Sequence, residues 1–151
     1  MNILLINHYA GSPKYGMEFR PYYMAREWVK MGHNVTIICA SYSHLRLQEP
    51  SVEKSLQIEN IDGVRYMWIK VPTYNSSVKR IFNILSFVCK LIYYSRSVSN
   101  IVKPDLVIAS STYPLDIYPA KSIAKMAKAK LCYEVHDIWP LSPMVIGGYS
   151  K

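Results

Sequence analysis

Residues 2–8 (NILLINH) and 34–40 (NVTIICA) are two continuous apolar runs, and they decide the fold. Runs of this length, rich in β-branched residues, are typical of strands buried on both faces of a sheet. A Gly/Ser/Pro loop at residues 10–14 follows the first run. Residues 16–31 then place large apolar side chains near helical spacing, and Gly32 provides a helix stop. The pattern predicts strand, helix, strand.

The same alternation continues along the rest of the chain. It predicts an irregular surface loop at residues 41–60 and then a strand at 61–71, which follows the Asp62-Gly63 turn. A long helix at 78–102, a strand at 105–109, a helix at 118–129 and a last strand at 130–135 complete the pattern. Apolar strands separated by helices predict an α/β fold: a Rossmann-like open parallel sheet with helices on both faces. Ligands bind such sheets at the carboxyl ends of the strands. The loops at residues 8–16 and 136–148 are therefore the candidate site.

Length and composition fit a single domain over residues 1–151. Half of the residues are apolar and 19% are charged, which is typical of a folded chain with a core. Cys39, Cys89 and Cys132 are far apart in apolar runs. This spacing excludes a disulfide scaffold and a zinc ribbon and favours a reducing compartment. Because residues 1–8 lack the basic segment of a signal peptide, we expect a cytoplasmic protein.

The net charge of +8 is concentrated in one segment. No acidic residue lies between Asp62 and Asp105. The same stretch holds seven basic residues, Arg65, Lys70, Lys79, Arg80, Lys90, Arg96 and Lys103. Such a field favours an anionic partner, either a membrane surface or a nucleic acid. The alternative is a solvated basic face without a partner.

The loop after the first strand holds a candidate anion site. It lacks the Lys-Ser/Thr of a Walker A loop and the glycine spacing of a dinucleotide fingerprint. Gly16, expected at the helix start, would let backbone N–H groups approach a phosphate. Arg20, one turn further, would bind the same anion. The alternative is an ordinary turn with Arg20 on a solvated face.

The last predicted strand ends in His136 and Asp137. Histidine hydrogen-bonds hydroxyl groups and moves protons near neutral pH, and Asp137 could orient the imidazole. The alternative is a core histidine followed by a helix N-cap. His8 stands at the matching end of the first strand and is weaker evidence. No hydrolase or metalloenzyme spacing is present, so we expect no metal and no cofactor.

The helix predicted at residues 78–102 has an unusually wide apolar sector. Asn83, with Lys90, lies on its polar side, and the basic residues argue against a membrane span. A helix of this kind can lie in the plane of an anionic membrane. On that hypothesis five residues face the lipid, Lys79, Arg80, Phe82, Phe87 and Lys90. The alternative is a core helix whose basic residues extend to water.

Two segments carry a resemblance to a known family. Residues 1–40, which include MGHNVTI at 31–37, and YEVHDIWP at 133–140 resemble the N-terminal half of a GT-B glycosyltransferase. The similarity is to family 4, in the branch that builds bacterial surface polysaccharides, and it covers essentially the whole chain.

The resemblance implies a retaining enzyme of two domains. Its N-terminal domain binds the acceptor, here expected to be a lipid-linked glycan, and its C-terminal domain binds the nucleotide-sugar donor. Gly16 would lie near the donor diphosphate, with Arg20 beside it. His136 would contact the transferred sugar, with Asp137 as its catalytic neighbour. The family's membrane-docking helices imply a peripheral location on the inner face of the cytoplasmic membrane.

One departure limits what this chain is expected to do. The family's donor site uses two glutamates separated by seven residues, and no two glutamates here have that spacing. We therefore expect an acceptor-side domain without its donor domain, inactive alone. The alternative is a non-catalytic Rossmann-like module that docks on a membrane or a partner chain. Nucleic acid is not an expected partner, because aliphatic residues rather than stacking aromatics dominate the basic segment.

Overall fold

In the part of the chain that the structure describes, six strands form one sheet flanked by three helices. The computed structural model describes residues 1–136 and 144–145. The strands are β1 (Asn2–Ile6), β2 (Asn34–Ala40), β3 (Leu56–Ile61), β4 (Val64–Ile69), β5 (Leu106–Ala109) and β6 (Lys130–Tyr133). The helices are α1 (Arg20–Lys30), α2 (Ser77–Val102) and α3 (Ile117–Ala127), and a 3-10 turn (Pro114–Asp116) precedes α3. The strand order is β3-β4-β2-β1-β5-β6, and only β3 is antiparallel to its neighbour.

Alternating side chains of the central strands supply two separate cores. Leu4 and Ile6 of β1 pack with residues of α2 and α3 on one face of the sheet. Ile3 and Leu5 pack with Tyr22 of α1 on the other face. Because both faces are covered, the central strands are apolar throughout, as the sequence indicated. The Rossmann-like prediction, with helices on both faces, is confirmed.

The prediction of an irregular loop through residue 60 was wrong at its end. β3 pairs antiparallel with β4 through a two-residue turn. Its polar composition hid the strand, because an edge strand is half exposed and lacks a continuous apolar run. Glu59 of β3 accepts hydrogen bonds from Tyr15 Oη (3.0 Å) and Trp68 Nε1 (2.9 Å). Those partners satisfy a carboxylate within the sheet.

Helix α1 begins at Arg20, four residues later than predicted. Gly16 forms isolated β-bridges with Ser12 and Arg46, so the chain before Arg20 is a closed loop. Pro21 follows in the first turn, where its missing N–H costs no helical hydrogen bond. The helix start predicted at Gly16 was therefore wrong.

The sheet has a topological switch point between β1 and β5. From β1 the chain moves outward through β2 in one direction, and from β5 it moves outward through β6 in the other. The crossover helices leave a crevice where the direction reverses, outside the carboxyl ends of these strands. The residues that follow β1, β5 and β6 meet at that edge.

Candidate functional site

Hydrogen bonds join the segments that follow β1 and β5. Asn7 Nδ2 donates to the Ser110 carbonyl oxygen at 2.6 Å, and the His8 backbone N–H donates to Ser111 Oγ at 3.0 Å. All four residues are buried. The floor of the switch-point crevice is therefore fixed by polar contacts between its two walls.

Ser110, Glu134 and His136 form a polar cluster above this floor. Ser110 Oγ donates to Glu134 Oε2 at 2.6 Å and lies 3.1 Å from His136 Nε2. His136 Nε2 is 3.4 Å from the same carboxylate oxygen. A serine hydroxyl and a carboxylate thus hold the imidazole in one orientation at the end of β6. A quarter of the His136 side chain remains exposed, so it can still reach a ligand.

Arg20 completes the cluster from α1. Its Nη2 pairs with Glu134 Oε1. This pairing, together with the Ser110 hydroxyl, lowers the pKa of Glu134 to about 2, and the same contact raises the pKa of Arg20. The carboxylate is ionised at neutral pH and neutralises the guanidinium. The predicted role of Arg20, binding an anion, would compete with this ion pair.

A small cavity of about 80 Å³ connects two of the predicted site residues. Arg20 and His136 both line it, together with Asn7 and Thr112. Gly16 is not among the residues that line it. The structure thus brings Arg20 and His136 together, and Asp137 lies outside the described residues.

Gly16 is held inside the loop between β1 and α1. Its N–H donates to the Ser12 carbonyl at 2.7 Å, and its own carbonyl accepts from Ser12 N at 3.0 Å. Its φ is +94°, and a Cβ there would lie 2.8 Å from the Leu47 backbone nitrogen. A glycine is required here by conformation and by space. The Gly16 N–H has a partner within the protein, so its predicted place near a diphosphate would need the loop to open.

His8 lies in the core. Its Nδ1 is 2.8 Å from Tyr113 Oη, and its ring packs at 4.7 Å from the Phe87 ring. Burial, reinforced by the charges of Arg46 and Arg80, lowers the pKa of His8 to about 3. His8 is therefore neutral near pH 7. These contacts favour a structural role.

A larger cavity of about 500 Å³ lies beside the switch point, between the start of α2 and the segment after β5. Five apolar side chains line it, Ile81, Ile84, Leu85, Pro114 and Leu115. Arg80 and Tyr9 supply polar groups to the same cavity. Arg80 Nε and Nη2 donate to Tyr9 Oη at 3.2 and 3.1 Å, and the guanidinium lies 5.4 Å from the centroid of the tyrosine ring.

Helix α2 exposes apolar side chains and buries polar ones. Asn83 is fully buried and donates to the Pro72 carbonyl at 2.6 Å, so the polar side predicted from sequence faces the protein at this position. Six large apolar residues are exposed along the opposite side, Val78, Ile81, Phe82, Leu85, Ile92 and Tyr93. We call these six residues the apolar stripe of α2.

Two of the five residues predicted to face lipid do not fit that role. Phe87 is fully buried in the core under α2, because it faces the sheet beside Leu91. Lys90 is half-buried and donates from Nζ to the Lys70 carbonyl at 2.6 Å, which ties it to the end of β4. Lys79, Arg80 and Phe82 are exposed. The predicted lipid contact was therefore wrong for Phe87. For Lys90, the hydrogen bond to the Lys70 carbonyl opposes a contact with lipid.

Comparison with known proteins gives a likeness of fold. The chain resembles the crystal structure of the C-terminal domain of a hydrogenase from Pyrococcus furiosus, with a TM-score of 0.57 and 19% identity over 88% of this chain and 89% of that one. No family model matches the sequence, and no curated protein matches it. At this level of identity the likeness shows the Rossmann-like α/β fold alone.

Sequence reasoning missed Ser110 and Glu134. Ser110 follows directly after β5, and polar residues at the carboxyl ends of strands on either side of a switch point are the signal that could have found it. Glu134 stands two residues before His136, a spacing that puts both side chains on one side of an extended chain. Their contact with each other required the register of β5 and β6.

Two further kinds of site were searched for among the described residues. Within residues 1–136 and 144–145, no three His, Cys, Asp or Glu side chains converge in a way that could hold a metal ion. In that part of the chain no helix has the length and hydrophobicity to cross a bilayer.

Proposed function

We propose that this chain is the acceptor-side domain of a peripheral membrane glycosyltransferase. The enzyme would move a sugar from a nucleotide-sugar to a lipid-linked glycan in surface polysaccharide synthesis. The observation that carries the proposal is His136, held by Ser110 and Glu134 at the switch point of a Rossmann-like sheet. This is where open α/β sheets bind their ligands.

The cluster suits contact with a sugar. His136 exposes part of its imidazole toward the cavity that it shares with Arg20 and Asn7. An imidazole nitrogen can hydrogen-bond a sugar hydroxyl, while the ionised Glu134 fixes the ring and stabilises any positive charge on it. Asp137, the next residue, remains part of the proposed catalytic pair. Gly16 remains the proposed contact for the donor diphosphate.

The surface of α2 supports the membrane location. Lys79 and Phe82 are both exposed at the start of the helix, and no acidic residue lies between Asp62 and Asp105. Apolar side chains beside basic ones favour binding to an anionic bilayer surface. A domain seated in this way would hold its switch point close to a lipid-linked acceptor.

The test is sugar transfer by the protein purified from its source cells. Labelled nucleotide-sugars of several kinds are incubated with membrane lipid extract from the source cells, and transfer into lipid is counted. We expect His136→Ala to lose most of the turnover and to keep the wild-type circular dichroism spectrum. The matched control is His33→Ala, in the turn after α1, which should transfer at the wild-type rate. Equal rates for wild type and His136→Ala would remove His136 from the mechanism.

The apolar stripe favours a second candidate function, a non-catalytic module that docks on a membrane or a partner chain. The same assay separates the two functions. Vesicle binding without transfer from any nucleotide-sugar would support the module and contradict the transferase.

A further inference from the structure

The cavity beside the start of α2 combines an apolar wall with one guanidinium group, that of Arg80. Its volume of about 500 Å³ is within the range of small-molecule sites, roughly 300–1,000 Å³. Its wall is mostly apolar, and among the residues that the structure describes no acidic side chain lines it. A guanidinium lies against it. The cavity therefore suits a ligand with an apolar chain and a negative charge at one end.

Arg80 is held ready for an anion. Two of its nitrogens donate to the hydroxyl of Tyr9, a residue that is only 3% exposed, so a buried ring fixes the position of the guanidinium. Arg80 forms no ion pair with a carboxylate of residues 1–136 or 144–145. Its Nη1 group takes part in neither hydrogen bond to Tyr9 and can donate to a phosphate oxygen.

The start of α2 adds to this positive field. Ser77, the first residue of the helix, lines the cavity, and the first turn holds no acidic residue. The positive end of the helix dipole therefore borders the cavity, as Arg80 does. Lys79 adds a further positive charge to that turn.

The cavity opens onto the apolar stripe of α2. Ile81 and Leu85 belong to both, since they line the cavity and are still 56% and 43% exposed. An apolar chain could therefore pass from a membrane against the stripe into the cavity along a continuous apolar surface. The positive charge of Arg80 and the continuous apolar surface together favour a ligand that has an anionic group and an apolar chain.

We infer that this cavity binds a single-chain lipid phosphate, that is, a phosphate or diphosphate ester of a long apolar alcohol. The phosphate contacts Arg80, and the first carbons of the chain lie along Ile84, Leu85 and Leu115. The inference rests on the proposed function for the role of this lipid as the acceptor's carrier. The binding itself rests on the cavity.

The test is isothermal titration of the full-length protein with decyl phosphate below its micelle concentration, with no sugar present. Inorganic phosphate and the uncharged decyl maltoside are titrated in parallel. We expect saturable binding of decyl phosphate, and binding at least tenfold weaker for each of the other two. Equal affinity for decyl phosphate and decyl maltoside would overturn the anion contact. Equal affinity for inorganic phosphate would overturn the apolar contact.

Two matched pairs of variants locate the site. Arg80→Gln should weaken decyl phosphate binding about tenfold, the usual effect of losing a charged hydrogen bond, whereas Arg96→Gln on the same helix should leave it unchanged. Leu85→Ser should weaken it, whereas Ile92→Ser, of similar exposure on the stripe, should not. If Arg80→Gln and Arg96→Gln bind alike, the cavity is not the site.

The outcome is separable from that of the proposed function. Binding that depends on Arg80 in a protein that transfers no sugar would keep the lipid-phosphate site and reject the transferase. Sugar transfer by a protein whose decyl phosphate binding is indifferent to Arg80 would do the reverse.

Discussion

Arg20, the first residue of α1, pairs with Glu134, the residue after β6, although 114 positions separate them in the sequence. The pair joins a helix on one face of the sheet to the end of its last strand. Glu134 also accepts from Ser110, so three elements meet at one carboxylate. The orientation of His136 depends on this meeting, because the same carboxylate lies beside its imidazole.

Glu134→Gln should destabilise the protein in a pH-dependent way. Because Arg20 and Ser110 hold the pKa of Glu134 at about 2 in the folded protein, their stabilising effect is complete above the ordinary glutamate pKa. It is lost as the pH falls through the range down to about 2. Since Arg20 is half exposed, we expect a loss of only about 1 kcal/mol in the free energy of unfolding at pH 7. Urea unfolding of both proteins from pH 7 to pH 2 measures it.

The control is Glu27→Gln, which breaks pairs with Arg26 and Lys30 on the outer surface of α1. It should change stability less than Glu134→Gln at pH 7. If the two variants lose the same stability, the Glu134 cluster contributes no more than a solvent-exposed ion pair.

His8 should make the protein less stable in mild acid. The pKa of His8 is about 3 in the folded protein, compared with 6.5 ordinarily. Between these two pH values the unfolded chain binds a proton at His8 and the folded protein does not. Stability therefore falls as the pH drops below 6.5, by about 1.4 kcal/mol per pH unit, or about 2 kcal/mol between pH 7 and pH 5. His8→Gln should lose that much less over the same interval.

The measurement for His8 is the difference in unfolding free energy between the two pH values for each protein, which cancels any loss common to both. His33→Gln, in the turn after α1, should keep the wild-type difference. An unchanged pH dependence in His8→Gln would mean that the folded protein protonates His8 readily.

Gly16→Ala should cost more stability than Gly32→Ala. Both glycines have positive φ, +94° and +85°, which disfavours alanine by about 1–2 kcal/mol at either site. A Cβ at Gly16 would also meet the Leu47 backbone nitrogen at 2.8 Å, whereas one at Gly32 has no heavy atom within 4 Å among the described residues. Thermal unfolding of the two variants compares them. Equal losses of stability would mean that the loop around Gly16 shifts to make room for the Cβ without a further loss of unfolding free energy.

The sequence was sufficient for the five parallel strands of the sheet but not for its antiparallel edge strand or for the contacts at the carboxyl ends of the strands. β1 and β2 were predictable because strands covered on both faces are apolar throughout. β3 was not, because it is a half-exposed edge strand whose polar residues interrupt any continuous apolar run. The same limit applied to the site. His136 was found from its place after a strand, whereas its contact with Ser110 required the register of β5 and β6.

Helix α2 shows a related limit. Its wide apolar sector was evident from sequence, but the side that faces the sheet was not, because Asn83 is buried with a carbonyl partner while Phe82 is exposed. A polar residue can lie inward wherever a backbone acceptor is within reach. Periodicity therefore predicted the helix and misassigned Phe87.

Phe82 and Phe87, on neighbouring turns of α2, should differ strongly in how much stability their truncation to alanine removes. Phe87→Ala should lose about 3–5 kcal/mol of unfolding free energy, because the ring is fully buried and leaves a cavity. Phe82→Ala should change it by less than about 0.5 kcal/mol, since its ring is 63% exposed. Chemical unfolding of both variants decides this. A comparable loss for Phe82→Ala would mean that its ring packs against the protein.

The exposed surface at the start of α2 should bind anionic vesicles and not neutral ones. Lys79 and Phe82 are exposed there with no acidic residue from 63 to 104, so both charge and apolar burial favour an anionic bilayer. We expect the protein to float with phosphatidylglycerol vesicles and to stay behind with phosphatidylcholine vesicles. It should be released at about 1 M salt, where the Debye length shortens to about 3 Å.

Lys79→Gln and Phe82→Ser should each reduce flotation with phosphatidylglycerol vesicles. Lys30→Gln, at the end of α1 on the opposite face of the sheet, should not. Equal flotation with both lipids would remove the electrostatic contribution, and equal loss in Lys30→Gln would show that net charge, rather than this surface, governs binding.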